Sequence, residues 1–366
     1  MLSHSYLLIS NLKEFLSDKP FYDNRKISRI EELLMKYIKS DSAKDNKYIL
    51  NEIEKIIFED RNQYIGKLFK VKVKYAANSL ATEIDLCNRH IWVMWSVISR
   101  LKIFQRQRLI KNNSSFINEI NNNGFLLLPD FLDKTTCEKV YNDSLNYPIA
   151  LNKSDTSTIS RNLLRIKDFS ISFYRNDHTS LLLKKIIVNI NNLGFNKSLR
   201  QTSNLVKRTS FWQKLNITKS CDDIQKDCHM DTFFPSLKFW YFPLKVETNK
   251  SFKYAKKSNI MSFERLNVES NKFKQINNVN TKLLENRSTL KNNNSSSYES
   301  TLQGSLRFTS EEMKQMNLQL KPIEVPENTL LIADVSGMHS RGMGVDDISS
   351  SLRVAIHGNT RHVQVF

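Results

Sequence analysis

Apolar residues recur at helical spacing through the first hundred positions and give way to short apolar runs in the second half of the chain. Ile27, Ile30, Leu34, Tyr37 and Ile38 step by threes and fours, as do Ile49, Ile53, Ile56 and Ile57, and each set predicts a helix with one buried stripe. Ile84, Cys87, Ile91, Met94, Ile98 and Leu101 extend the alternation into a seam that packs on another helix. Its centre, Ile91 to Ile98, is apolar on nearly every side. Arg89, Arg100 and Lys102 bound it, so it is too short to cross a bilayer. A buried core helix is expected; a helix lying in a membrane interface, with Trp92 and Trp95 among the headgroups, is the alternative.

A polar stretch at Lys111–Ser115 marks a boundary. Beyond it Gly124 punctuates, Phe125–Leu128 form a short apolar strand and Pro129 stops it. Thr135 and Glu138 have capping-box spacing and predict a helix start, and Leu181–Ile190 reads as a second apolar helix. From Ser210 onward strand patterns dominate: SFWQKLNI, LKFWYFPLKV, GSLRF, TLLIADV, LRVAIHG and HVQVF. Helices first and many strands later, without regular alternation, predict an α+β chain built on antiparallel strands rather than a doubly wound sheet. The expected division is a basic helical region over 1–112 and a second domain over 113–366. Within the latter, about 259–303 is rich in Asn, Lys and Ser and is expected to be a mobile insertion contributing little core.

Charge adds one question. The chain carries 55 Lys and Arg against 37 Asp and Glu, a net charge of +18. Residues 61–111 hold eleven of the basic residues against Glu83 and Asp85 alone, so half of the surplus sits in one-seventh of the chain. A solvated, Lys-rich composition explains this most simply; peripheral contact with an anionic membrane surface through 61–111 is the sharper reading, and nucleic acid is disfavoured. The four cysteines, Cys87, Cys137, Cys221 and Cys228, form no CxxC pair. With no secretory leader they read as reduced thiols of a cytoplasmic protein rather than zinc ligands.

The chemistry is concentrated in His229-Met230-Asp231, followed 110 residues later by His339 and then by Arg353. A His-X-Asp pair with a distant His can put two imidazoles and one carboxylate on one face of an Fe(II) ion, leaving three positions open. A trailing Arg offers a planar fork to the far carboxylate of a 2-oxoglutarate co-substrate. Strand alternation puts Lys238, Trp240 and Phe242 on one face after the His-X-Asp turn. Trp240 is then either a wall of the 2-oxoglutarate pocket or ordinary core, and Lys238 is placed to meet a carboxylate or phosphate. Gln213, on the preceding strand, is a candidate cofactor contact, and Arg341, two residues past His339, a candidate contact for an anionic substrate.

The segment NNNGFLLLPDFL resembles the opening of phytanoyl-CoA hydroxylase-like proteins, which are Fe(II)- and 2-oxoglutarate-dependent oxygenases. HMDTFFPSLKFWYFPLKV, GSLRF, VPENTLLIADVSGMHSRG and SLRVAIHG resemble, in that order, a bacterial branch of the phytanoyl-CoA dioxygenase family. The resemblance spans roughly residues 118–360; nothing in 1–112 contributes to it. It implies a double-stranded β-helix (jelly-roll, cupin-like) core with flanking helices. It also implies Fe(II), 2-oxoglutarate and O₂ as cofactors, with His229, Asp231 and His339 as the catalytic metal ligands and Arg353 facing the same cavity. One block departs from it. Where relatives tend to have Tyr-Val-Pro-Gly-Ser-His, this chain has Tyr254-Ala255-Lys256-Lys257-Ser258-Asn259, which puts the substrate-side rim in doubt.

The expected function is a hydroxylase acting on an anionic small molecule or a lipid or glycan precursor. Two alternatives stand beside it. One is a catalytically degenerate jelly-roll binding protein, favoured by the altered block. The other is a basic membrane-surface or nucleic-acid binder working through 61–111.

Overall fold

The computed structural model describes residues 2–59, 87–88, 90–110, 114–146, 177–195, 211–215, 227–246, 248, 251–285, 305–342 and 353–359. Four helices come first among these: α1 (Leu2–Ser17), α2 (Asn24–Lys39), α3 (Ala43–Phe58) and α4 (Ile91–Arg108). Then follow α5 (Ser114–Asn123), β1 (Phe125–Leu128), α6 (Lys134–Asn146), α7 (Asp177–Asn192) and β2 (Phe211–Leu215). The remaining elements are β3 (His229–Met230), β4 (Leu237–Phe242), β5 (Lys253–Tyr254), α8 (Phe263–Glu285), β6 (Leu306–Arg307), α9 (Ser310–Gln315), β7 (Lys321–Pro322), β8 (Thr329–Asp334), β9 (His339–Ser340) and β10 (Arg353–Asn359).

The strands form two antiparallel five-stranded sheets, ordered β1-β8-β4-β10-β2 and β6-β3-β9-β5-β7. Side-chain alternation explains how each buries both faces. In the first sheet Leu126, Leu237, Phe239, Tyr241, Leu330, Ile332 and Ile356 point outward onto Ile117 and Ile120 of α5, Val140 of α6 and Leu182 and Ile186 of α7. The intervening residues Phe125, Phe242, Leu331, Ala333 and Ala355 point inward and meet Phe252 and Tyr254 from the second sheet. The outer face of that second sheet, through Met230 and Leu306, rests on α1 to α4 and α8. Every residue of β8 is therefore buried, which is why TLLIAD reads as a continuous apolar run and not as an alternating one.

Helical periodicity in the first region is realised. Ile27, Ile30, Leu34, Tyr37 and Ile38 are the buried stripe of α2, whose N-terminus is capped by the Asp23 carboxylate accepting from Lys26 N. Cys87, Ile91, Met94, Ile98 and Leu101 are buried as a seam. Trp92 and Trp95 are also buried, against Phe273 and Phe233 respectively, so α4 is a core helix and does not lie in a membrane interface. Among the described residues no helix is long and apolar enough to cross a membrane. Of the basic stretch 61–111, residues 61–86, 89 and 111 lie outside the described part.

Two sequence expectations are corrected. α6 starts at Lys134, and its cap is Asp133, whose carboxylate accepts from Thr136 N at 2.9 Å. A carboxylate there satisfies a free amide and also meets the positive end of the helix, which a threonine two residues later does not. The segment 259–303 is not wholly a loose insertion. Phe263–Glu285 is a helix whose Leu266, Val268 and Phe273 are buried in the same core as α1, α2, α3 and α4. Its first turns are buried nearly all round, at Arg265, Leu266, Val268, Glu269 and Ser270, which a composition rich in Asn, Lys and Ser hides. The N-terminal helices thus share one core with the second sheet.

A buried ion pair ties that core to the sheets. Arg100 of α4 donates through Nη1 to Asp334 Oδ2 at 2.6 Å, and its side chain and that of Asp334 are 6% and 0% exposed. Replacing Arg100 by Leu leaves the Asp334 carboxylate buried without its cation. The expected loss is about 3–5 kcal/mol of unfolding free energy, read as a lower urea midpoint with an unchanged slope. A loss below about 1 kcal/mol would show that the pair does not organise this region.

Candidate metal centre

His229 and His339 face one another across the pairing of β3 with β9, a register that sets them side by side on the inner face of the second sheet. Arg307 of β6 and Tyr254 of β5 continue the same row on either side. The two imidazole centroids are 4.4 Å apart. Asp231, just beyond β3, closes the triangle, with its carboxylate oxygens 3.9 Å from His229 Nε2 and 3.5 Å from His339 Nε2. One ligand atom from each of the three lies within 4.8 Å of the others. Ligands held at about 2.1 Å and near right angles around one ion lie about 3 Å apart, so a small inward movement completes the set.

Hydrogen bonding fixes which nitrogens are free. His229 Nδ1 donates to the Asp227 carbonyl at 2.7 Å, and His339 Nδ1 donates to the Gly337 carbonyl at 2.9 Å. With Nδ1 protonated in both rings, each Nε2 presents its lone pair to the common point, the usual arrangement behind a metal-bound histidine. Burial and the neighbouring His339 push His229 down to about 3, so it is neutral and able to ligate at pH 7. Burial alone would raise the Asp231 carboxyl. Lys238, then the two imidazoles, outweigh it and hold the group well below the ordinary carboxylate range. Asp231 Oδ1 also accepts from Ser305 Oγ at 2.8 Å. Two imidazoles and an ionised carboxylate are a donor set that fits a divalent first-row metal, iron included.

Cys228 is no ligand. It alternates away from His229 into the outer core, where its sulfur lies 3.4 Å from Met313 Sδ, and burial pushes its thiol up to about 12. Among the described cysteines, Cys87 and Cys228 are buried and Cys137 is half-buried.

The other sequence candidates fall in different places. Lys238 and Trp240 both lie on the inner face of the first sheet, opposite Ala333 and Leu331. Lys238 Nζ is 2.5 Å from Asp231 Oδ2. The Trp240 ring packs on Phe252 at 4.8 Å, and Phe252 in turn lies 5.5 Å from the His339 ring, so an aromatic wall leads to the triad. Arg341 is half-buried immediately after β9. Gln213 pairs with Ala355 across β2 and β10, and Arg353 opens β10 opposite Leu215. The side chains of Gln213 and Arg353 lie outside the described part of the molecule.

Several site residues escaped the sequence reading. Ser305 and Arg307 lie in GSLRF, which reads only as a strand. Arg307 Nη1 donates to the Ser305 carbonyl at 3.1 Å, and its Nε is 3.7 Å from Asp227 Oδ2, so it joins the supports of Asp231 and of His229. The loop that delivers His339 is held by Arg265 of α8, which donates to the carbonyls of Ser336 (2.7 Å) and Ser258 while pairing with Glu269 at 2.6 Å. Asp231 N donates to the Val335 carbonyl at 3.0 Å, linking the two ligand-bearing turns directly.

Four residues of the altered block join this support, while Lys256 and Lys257 are exposed. Tyr254, Ala255, Ser258 and Asn259 are buried, and Lys257 takes a left-handed backbone with φ of 65°, the conformation a glycine would otherwise supply. Ser258 Oγ accepts from Met338 N at 2.8 Å, and Tyr254 OH donates to the Asp334 carbonyl at 2.8 Å. Asn259 donates to the Ile120 and Asn121 carbonyls and accepts from Arg100.

No family model matches the chain, and no curated protein matches it. Among solved structures, the epimerase SnoN in complex with Fe3+, alpha-ketoglutarate and nogalamycin RO is similar at TM-score 0.39 and 8% identity, over 67% of this chain and 81% of that one. HygX from Streptomyces hygroscopicus with nickel and 2-oxoglutarate bound is similar at TM-score 0.36 and 11% identity, over 68% and 86%. The non-heme alpha-ketoglutarate-dependent carbocyclase SnoK gives 0.34 and 10%, over 68% and 83%. These likenesses are distant, and the chemistry below stands on the geometry of the triad.

Gly337 shows how closely the loop is fitted. A Cβ there would come within 1.9 Å of Tyr254 OH and 2.8 Å of Ser258 Oγ. Gly337→Ala is expected to cost about 1–3 kcal/mol of stability and to weaken divalent-metal binding at least tenfold, because the Gly337 carbonyl that orients His339 must move. Urea unfolding and calorimetric titration with Ni(II) check this; wild-type affinity in the variant would show that the loop has slack.

Proposed function

We propose that the protein is an Fe(II)- and 2-oxoglutarate-dependent oxygenase of the phytanoyl-CoA hydroxylase-like kind, its two sheets being the halves of a double-stranded β-helix. The observation that carries this is the convergence of His229 Nε2, His339 Nε2 and the Asp231 carboxylate on one point, with both Nδ1 atoms tied back to carbonyls. Three protein ligands on one face leave the opposite positions for a keto acid and O₂. When bound, the iron and 2-oxoglutarate supply oxidative decarboxylation that activates O₂ for attack on a substrate C–H bond.

The chain's own residues do the remaining work. Ser305 and the carbonyls of Asp227 and Gly337 hold the three ligands in orientation. Phe252 and Trp240 keep one side of the centre apolar and exclude water. Arg353 is assigned to the far carboxylate of 2-oxoglutarate, with Gln213 opposite Ala355 as a further contact, and Arg341 to the substrate. An anionic small molecule or a lipid or glycan precursor is the substrate class that Lys238 and Arg341 suit. A binding-only jelly roll, suggested by the altered block around Lys256, is the second reading; Tyr254, Ala255, Ser258 and Asn259 of that block are buried, while Lys256 and Lys257 are exposed. The basic-surface alternative rests on residues 61–111, of which 61–86, 89 and 111 lie outside the described part.

Anaerobic titration of the metal-free protein with Fe(II) and 2-oxoglutarate is the test. A visible metal-to-ligand charge-transfer band is expected in the wild type and is expected to be lost in Asp231→Ala. Arg353→Leu is expected to raise the 2-oxoglutarate concentration needed for the band at least tenfold with Fe(II) binding retained. A folded wild-type protein that develops no band sinks the oxygenase reading.

A further inference from the structure

Lys238 stands in an unusual relation to the metal ligands. It projects from β4 on the inner face of the first sheet, across the interior from the histidines, and its Nζ is 2.5 Å from Asp231 Oδ2. The other oxygen of that carboxylate is held by Ser305, so Oδ2 is shared between Lys238 and the side that faces His339. Asp231 is 19% exposed and Lys238 27%. An ammonium at this distance neutralises the same anion that a divalent ion would neutralise on binding. A metal ligated by Asp231 and an ammonium still paired to it would be like charges within a few ångströms, in a site where water screens them poorly.

We propose that Lys238 is the resident counter-ion of the centre. It holds the Asp231 carboxylate in place while no metal is bound, yields it to the incoming divalent cation, and then pairs with the carboxylate of 2-oxoglutarate that binds at that metal. Charge favours the second half. With Arg353 assigned to the far carboxylate of the keto acid, the metal and Lys238 bring three positive charges to the one negative charge of Asp231, and the near carboxylate of the keto acid reduces that excess. Without the keto acid the metal-loaded centre keeps a net positive charge, and the displaced ammonium has a metal-bound carboxylate as its natural partner. The inference rests on the oxygenase reading and adds an order of events: metal first, with Lys238 released, then the keto acid, with Lys238 re-engaged.

The full chain, freed of metal, is titrated by calorimetry with Ni(II) alone and then with 2-oxoglutarate on the Ni(II)-loaded protein, for wild type, Lys238→Met and Lys238→Arg. Lys238→Met is expected to bind Ni(II) at least tenfold more tightly and 2-oxoglutarate at least tenfold more weakly. Lys238→Arg, which keeps the charge, is expected to stay near wild type in both. Lys238→Gln repeats the test with a polar side chain should the methionine variant fold poorly. Equal or weaker Ni(II) binding by a folded Lys238→Met overturns the exchange, and unchanged 2-oxoglutarate affinity overturns the re-engagement. A wild-type protein that binds no divalent metal overturns the metal reading itself, and this inference falls with it.

Discussion

The Asp334 carboxylate, buried at the end of β8 and paired with Arg100, is the point through which both halves of the metal centre are referred to one frame. Its Oδ2 takes the guanidinium of Arg100 at 2.6 Å. Its Oδ1 accepts from Ser236 N at 3.2 Å, from Ser336 N at 3.1 Å and from Ser336 Oγ at 2.8 Å. Ser236 ends the turn that begins at His229 and Asp231, and Ser336 lies in the turn that leads to His339. One carboxylate thus clamps the two ligand-bearing turns to each other and to helix α4. Such a pair gains little over a well-packed apolar substitute, but breaking it is costly, and its value here lies in fixing a single geometry.

That arrangement changes the meaning of the N-terminal helices. Arg100 comes from α4, which also donates from Ser96 Oγ to the Phe233 carbonyl, just after the His-X-Asp turn. From the other flank, Arg265 of α8 holds the Ser336 carbonyl. Two buried arginines from outside the sheets therefore grip the segments that carry the ligands. A centre of this kind needs its ligands held to within a fraction of an ångström, and rigid helices fix them better than loops can.

Within the centre the governing quantity is charge. Neutral imidazoles bring no compensation to a metal, so Asp231 alone supplies the first negative charge, and Lys238 competes for it. The rings of Trp240 and Phe252 line the approach to His339 with apolar surface, which strengthens charge interactions beside it. The same features that make the centre a good host for a dication make its metal-free form dependent on an internal cation.

The sequence by itself determined the candidate metal-ligand triad, the α+β class, the stripe of α2, the seam of α4 and the course of β4 and β8. These follow from local pattern: period-2 and period-3.6 burial are written into neighbouring residues, and the His-X-Asp pair and His339 sit at strand ends that the same pattern marks. Only the tertiary structure decided that Arg100 is a buried partner and not a basic flank, that Phe263–Glu285 is packed, that Lys257 replaces a glycine, and that Ser305, Arg307 and Arg265 serve the centre. Several of those roles are contacts between distant residues, such as Arg100 with Asp334, 234 positions apart, and Ser305 with Asp231, 74 apart. A charged side chain looks the same in sequence whether water or a buried carboxylate receives it. What decides between them is which backbone the fold brings within 3 Å, and no local pattern encodes that distance.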